Sequence, residues 1–136
     1  MEQTLLLIKP NVVKKNRIGA VLSILEAKGI VIKKLRMITM TVALAETFYA
    51  VHYGKPFYQK LVEFMTSGPI VAVVLEHEDC VKFVREIIGN TDPEKAVEGT
   101  IRKLYADSLT ENPVHASDSH ENAFKEIDII FGNDNR

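Results

Sequence analysis

Thr4-Leu5-Leu6-Leu7-Ile8-Lys9-Pro10 is the segment on which the prediction of the fold rests. Its apolar residues run from Leu5 to Ile8 without interruption, and Pro10 stops the run because it has no backbone N–H to donate. A continuous apolar run of this kind predicts a central strand that is buried on both faces. Lys9 is expected to project into solvent or a cleft, since burying an unpaired ammonium group is costly.

Outward from this strand, apolar periodicity and the positions of glycine and proline divide the chain into further elements. Helices are predicted at residues 17–28, 43–52, 57–66, 78–88 and 119–131, and strands at 29–41, 70–75 and 114–116. The passage at 89–112 is long and polar, with a short helical candidate at 100–106. Connections of this length are uncommon in compact domains and are often functional.

The order of these elements predicts an α+β fold, a ferredoxin-like βαββαβ sandwich. Its four-stranded antiparallel or mixed sheet should carry helices on one main face. A doubly wound α/β sheet is the alternative, but it needs repeated long crossover helices that the pattern lacks. At 136 residues the chain is expected to form one domain over residues 1–136.

The composition excludes several classes of protein. Seventeen basic against 18 acidic residues leave a net charge of −1, unlike a dedicated nucleic-acid-binding domain. The N-terminus has no basic flank or cleavage site, and its apolar run is too short for a signal core or membrane span. Cys80, the single cysteine, stands in an apolar stretch and is expected to be a buried thiol. A cytoplasmic, unprocessed protein is the resulting expectation.

Familiar phosphate-binding and catalytic loops are absent from the sequence. There is no Walker-type G-x-x-x-x-G-K-[ST] loop, no dinucleotide G-x-G-x-x-G and no G-x-S-x-G serine elbow. A zinc site is also a poor fit: His115, Asp118, His120 and Glu121 lie close in sequence, but no paired cysteines and no H-E-x-x-H helix accompany them.

The segment Asn112-Pro113-Val114-His115-Ala116-Ser117-Asp118-Ser119 places an imidazole before hydroxyl and carboxylate groups. A lone histidine on a short strand is more often structural than catalytic. Basic and polar residues elsewhere favour a catalytic interpretation, because a small four-stranded domain could gather them around His115; they are Lys9, Arg85, Thr91, Arg102 and Asn112.

With these residues in view, the chain resembles the nucleoside diphosphate kinase family from Thr4 to Phe131. The matching motifs occur in order as Ile8-Lys9-Pro10-Asn11, Phe48-Tyr49, Pro56-Phe57, Ser67-Gly68-Pro69, Gly89-Asn90-Thr91-Asp92-Pro93, Gly99-Thr100-Ile101-Arg102 and the histidine segment. Two departures are Ala116, where the family usually has glycine, and Asn11-Val12, where many members have aspartate-glycine. Neither touches a catalytic group.

The resemblance implies reversible ping-pong transfer of a γ-phosphoryl group from a nucleoside triphosphate to a nucleoside diphosphate. His115 would carry the phosphoryl group on Nδ1, and Glu126 would orient the ring. The hydroxyl of Tyr49 would lie beside the histidine, and Ser117 and Lys9 complete the catalytic candidates. Only a neutral imidazole attacks, so transfer should decline at acid pH.

The same resemblance implies a set of nucleotide-binding residues: Lys9, Phe57, Arg85, Thr91, Arg102, Leu109 and Asn112. Arginine forks and the Thr91 hydroxyl would hold phosphate oxygens, and Lys9 and Asn112 would hold ribose hydroxyls and nearby phosphate oxygens. Phe57 and Leu109 would clamp the base without reading its identity, which implies broad specificity for ATP and other nucleotides. Mg²⁺ would arrive on the phosphates with no metal ligands from the protein, and the protein would be a homo-oligomer, a tetramer or hexamer built from dimers.

Two other functions are open at this point. A non-enzymatic ferredoxin-like sensor or RNA-binding module would not need His115, and RNA binding would also require aromatics that the first strand lacks. A histidine carrier in a phosphorelay would take its phosphoryl group from a protein, so it would need no base clamp at Phe57 and no ribose contacts at Lys9 and Asn112.

Overall fold

A computed structural model of the chain describes residues 1–89, 100–101 and 112–132. Its strands are β1 (Glu2–Ile8), β2 (Val31–Ile38), β3 (Ile70–His77) and β4 (Val114–Ala116). Its helices are α1 (Pro10–Lys14), α2 (Ile18–Ala27), α3 (Val42–Phe48), α4 (Tyr58–Met65), α5 (Cys80–Ile88) and α6 (His120–Phe131), with a 3-10 turn at Ala50–His52. None of these helices has the length and apolar character that crossing a bilayer requires. The helical candidate at 100–106 lies mostly outside the described residues.

The four strands form one sheet in the order β2-β3-β1-β4, and every neighbouring pair is antiparallel. The two continuously apolar strands, β1 and β3, occupy its centre, as their sequences predict. Leu7 of β1 pairs with His115 of β4. The α+β, ferredoxin-like prediction is confirmed, and the doubly wound alternative is wrong because the sheet contains no parallel neighbours.

Helices cover both faces of the sheet, so the expectation of one main helical face is wrong. Leu6 and Ile8 point into a core with α1, α2 and α5, whereas Leu5 and Leu7 point into a second core with α3, α4 and α6. Successive side chains of a strand alternate between faces. Because every residue in this run is apolar, each face needs its own cover.

Two local differences from the predicted elements lie beside the later site. Pro10 ends β1 but also starts α1, since the first position of a helix needs no N–H donor and its φ suits the helix. The helix predicted at 43–52 ends at Phe48 and continues as the 3-10 turn.

Cys80 is fully buried, as predicted, and burial raises the pKa of its thiol to about 12.

Candidate active site

His115 lies in the middle of β4, the three-residue edge strand, and is held there by pairing with β1. Its side chain is 23% exposed, and Nε2 lies 2.9 Å from Oε1 of Glu126 on α6. A carboxylate only accepts hydrogen bonds, so Nε2 carries the proton in this contact. The neutral ring therefore keeps its lone pair on Nδ1.

Ser117 restrains the same carboxylate. Its hydroxyl is fully buried and donates to Oε1 of Glu126 over 2.7 Å. One oxygen of Glu126 thus accepts from both His115 and Ser117. The two bonds fix the carboxylate and, through it, the rotation of the imidazole.

Two aromatic side chains from the end of α3 and the residue after it border the imidazole. The rings of Phe48 and Tyr49 meet His115 edge to face, with centroids 5.1 and 6.0 Å away. Both are buried, and the Tyr49 hydroxyl has no hydrogen-bond partner among the described residues. Burial, and secondarily the charge of Glu126, raises the pKa of Tyr49 far above its usual range, so its hydroxyl stays protonated.

His52 and Lys55 also belong to this region, although no motif in the sequence pointed to either residue. The His52 ring stacks on Tyr49 at 6.3 Å and lies 5.2 Å from Phe57, while Lys55 Nζ donates to its Nδ1 over 3.5 Å. Burial, followed by the charges of Lys55 and His115, lowers the pKa of His52. The available signal was spacing, because His52 follows Phe48 and Tyr49 by four and three residues, one helical turn.

Phe57, the predicted base-stacking residue, lies at the rim of the site. It is 41% exposed, and Lys55 Nζ lies 5.9 Å from the centroid of its ring. An exposed aromatic face with a cation nearby is suited to contact with a nucleobase and its phosphates.

Arg85 approaches from α5 on the other side of β4. Its Nη1 donates to the carbonyl oxygen of Ala116 over 3.3 Å, beside the histidine. Asp118 comes two residues after Ala116. A hydrogen bond from Asn122 lowers the pKa of the Asp118 carboxyl, and the charges of Arg85 and His115 lower it further. Arg85 thus adds a positive charge next to the residue that follows His115.

Lys9 and Asn112 lie where β1 and β4 meet. Both are buried, with 7% and 3% of their surface exposed, and the backbone N–H of Lys9 donates to Pro113 over 2.9 Å. Of the two places expected for Lys9, solvent or a cleft, its burial excludes open solvent. Three predicted site residues lie outside the described residues: Thr91, Arg102 and Leu109.

The described residues contain no group of three or more His, Cys, Asp or Glu side chains placed to hold a metal ion. In and just after the histidine segment, His115 is bonded to Glu126, and the exposed His120 has Nδ1 3.6 Å from Oε2 of Glu2. The described residues offer an imidazole oriented by Glu126 and an arginine bonded to the next residue of the strand, an arrangement suited to nucleophilic attack on an anionic group.

The family model described as nucleoside diphosphate kinase matches residues 2–136. The nucleoside diphosphate kinase of Staphylothermus marinus is 51% identical over 133 residues, which cover 98% of this chain and 94% of the relative.

Two crystal structures are similar in fold. The nucleoside diphosphate kinase of Aquifex aeolicus superposes with a TM-score of 0.93 at 46% identity, covering 97% of this chain and 96% of that one. The enzyme of Encephalitozoon cuniculi, in an apo cubic form, superposes with a TM-score of 0.96 at 36% identity, covering 100% and 92%.

Proposed function

This chain belongs to the nucleoside diphosphate kinase family and is thus a phosphotransferase, and we propose that it works through a phosphohistidine on Nδ1 of His115. The reaction is a reversible ping-pong transfer of the γ-phosphoryl group from a nucleoside triphosphate to a nucleoside diphosphate. The observation that carries the proposal is the 2.9 Å contact between His115 Nε2 and Glu126 Oε1.

That contact selects the nucleophilic nitrogen. With Nε2–H held by Glu126, the lone pair of the neutral ring is on Nδ1. Nδ1 attacks the γ-phosphorus, the bond from that phosphorus to the β,γ-bridging oxygen breaks, and the diphosphate leaves with the electron pair. The phosphorylated ring keeps the Nε2 proton and a positive charge, which the Glu126 carboxylate stabilises. The acceptor diphosphate then reverses these steps with its own terminal oxygen.

Neighbouring side chains keep the ring in this orientation. Ser117 holds Glu126 through the same oxygen, and the edge-to-face contacts of Phe48 and Tyr49 restrict rotation of the imidazole. The Tyr49 hydroxyl, protonated and unpaired among the described residues, is a donor for the phosphoryl group beside His115.

Positive charge and alignment supply the rest of the catalysis, because the transition state spreads negative charge over the equatorial oxygens. Arg85 stands beside β4 for this role. We assign Arg102 and Thr91 to the same phosphates, and Lys9 and Asn112 to the ribose and nearby phosphate oxygens, from the motif matches of the sequence.

The base is held by stacking on the exposed face of Phe57, with Leu109 on its other side. Every nucleobase presents a π face, so this clamp does not depend on base identity, and broad specificity for ATP and other nucleotides follows.

Mg²⁺ enters with the nucleotide in this proposal. The metal prefers oxygen ligands and commonly keeps several waters while bridging phosphates. The chemistry of the site suits that arrangement, since the Glu126 carboxylate already accepts hydrogen bonds from His115 and Ser117. Bound Mg²⁺ would neutralise charge on the phosphates; Asp118, the exposed carboxylate next to the site, would contact it through water.

We also propose that residues 1–136 act as one kinase domain in a homo-oligomer, a tetramer or hexamer built from dimers. Strand β2 is an edge of the sheet and exposes the apolar side chains of Val31, Leu35 and Met37 to between 48% and 56%. An apolar edge strand is suited to pairing with a second copy, and sedimentation would measure the assembly.

The buried thiol of Cys80 suits a reducing cytoplasm.

The central test mixes the protein with γ-labelled ATP and Mg²⁺, removes the nucleotide, and adds a different nucleoside diphosphate. We expect an acid-labile, base-stable phosphoprotein that is discharged by the diphosphate, and no label on His115→Ala. Label that forms but transfers only to a protein acceptor would favour a phosphorelay carrier. Ligand binding without labelling would favour a sensor.

A further inference from the structure

Helix α5, which carries Arg85, has no side-chain cap from its own segment. The residue before it, Asp79, has a left-handed backbone with φ +52° and makes no capping hydrogen bond. The cap comes instead from β1, where Oε1 of Glu2 accepts the backbone N–H of Val81 over 2.7 Å. The two residues are 79 positions apart in the chain.

The second oxygen of the same carboxylate reaches another helix. Oε2 of Glu2 lies 3.6 Å from Nδ1 of His120, the first residue of α6. The N-terminal end of a helix favours negative charge because its first N–H groups are unpaired. Glu2 therefore contacts the starts of both helices that supply Arg85 and Glu126.

We propose that Glu2 is a positioning residue for phosphoryl transfer: it fixes α5 against the sheet and so aims Arg85 at the phosphates beside His115. The inference rests on the proposed function, in which Arg85 contacts the nucleotide. It adds a residue that does not itself touch substrate.

A directional contact is needed here because the rest of α5 is held by apolar packing. Val81, Val84 and Ile88 bury one face of the helix, but apolar burial is non-directional and tolerates small shifts along the axis. Arg85 borders an open groove together with Glu2, and both its bond to the Ala116 carbonyl and the position of the helix backbone place its guanidinium. A displacement of about 1 Å can cost roughly 100-fold in rate.

The geometry links the cap to the arginine directly. Val81 and Arg85 are four residues apart, so they lie on the same side of the helix. Arg85 is bonded to the carbonyl of Ala116, and β1 pairs with β4 at Leu6 and Ala116. The same strand that carries Glu2 thus holds the strand that carries His115.

The test measures the Kd of a nucleoside diphosphate and the steady-state KM and kcat for Glu2→Ala and Glu2→Gln. We expect Glu2→Ala to weaken binding and raise KM by about threefold to tenfold, less than the roughly 100-fold that a misplacement of about 1 Å can cost. Glu2→Gln retains an oxygen acceptor and should restore most of the loss. Gln3→Ala is the control, because Gln3 bonds Glu76 on β3 and neither helix; its binding should be unchanged.

A double-mutant cycle with Arg85→Ala separates positioning from stability. If Glu2 acts through Arg85, Glu2→Ala causes no further loss of affinity in the Arg85→Ala background, although it lowers Tm by the same amount in both. If Glu2→Ala lowers affinity equally in both backgrounds while the wild type is still labelled on histidine, this inference is wrong and the proposed function stands. A wild type that is never labelled would overturn the proposed function and this inference together.

Discussion

The imidazole of His115 and the carboxylate of Glu126 meet at 2.9 Å, although β4 and α6 place them 11 residues apart in the chain. The contact determines which ring nitrogen carries the proton. It also places a negative charge next to the ring, which becomes positive when it is phosphorylated. The effect of Glu126 on ring orientation and the effect of its charge can therefore be tested with separate substitutions.

Replacement of Glu126 should slow formation of the phosphohistidine without preventing nucleotide binding. We expect Glu126→Ala to lower the single-turnover rate roughly 10- to 100-fold, as found for groups that orient a functional imidazole. Glu126→Gln keeps an oxygen that can accept from both His115 and Ser117 but loses the charge, so it should fall between Glu126→Ala and wild type. Equal rates for Glu126→Ala and wild type in rapid-quench measurements would contradict this role.

Truncation of Phe57 should weaken binding of all nucleotides alike. A base–aromatic stack contributes about 1–3 kcal/mol, so Phe57→Ala should raise Kd roughly 5- to 150-fold for adenine, guanine and pyrimidine nucleotides. Tyr53→Ala is the matched control, because Tyr53 is 80% exposed and packs against Tyr58. Calorimetric titration with several diphosphates checks the prediction, and a loss confined to one base would argue against a non-selective clamp.

The lowered pKa of His52 predicts a loss of stability on acidification. In the unfolded chain a histidine binds its proton near pH 6.5, whereas folded His52 binds it only at lower pH. Below about pH 6.5 the unfolded state therefore binds more protons at this residue than the folded state does. The contribution of His52 to the free energy of unfolding decreases as pH falls, until the pKa of the folded histidine is passed. Tm should fall less between pH 7.5 and pH 5 for His52→Gln than for wild type; parallel curves would contradict the assignment.

Substitution of Gly89 should destabilise the fold through both backbone and packing. Its φ of +94° disfavours any side chain, and an added Cβ would lie 2.6 Å from Oγ1 of Thr100. Gly54 has a similar φ of +84° but no atom within 4 Å of such a Cβ. Gly54→Ala should therefore cost about 1 kcal/mol, and Gly89→Ala about 1–3 kcal/mol more, measured by denaturant unfolding. Equal losses would show that Thr100 moves aside freely.

The central strands, the order of the elements and the candidate nucleophile could all be predicted from local sequence patterns. The apolar runs at Leu5–Ile8 and 70–75 can only be buried at the centre of a sheet, because every residue in them avoids water. The histidine segment and the motifs around it are contiguous in the chain, so local pattern was enough to single out His115. The same local pattern could not say that helices cover both faces, since that depends on where distant segments pack.

Which polar groups contact one another follows from the way the strands and helices pack. Strand pairing brings His115 opposite Leu7, and the packing of α6 brings Glu126 to its Nε2. His52 reaches the edge of the site through the turn after α3, and Glu2 caps a helix that begins 78 residues later. Hydrophobic periodicity records which face of an element is buried, but hydrogen bonds between distant residues depend on distances of a few ångströms, which are fixed only when the elements are assembled.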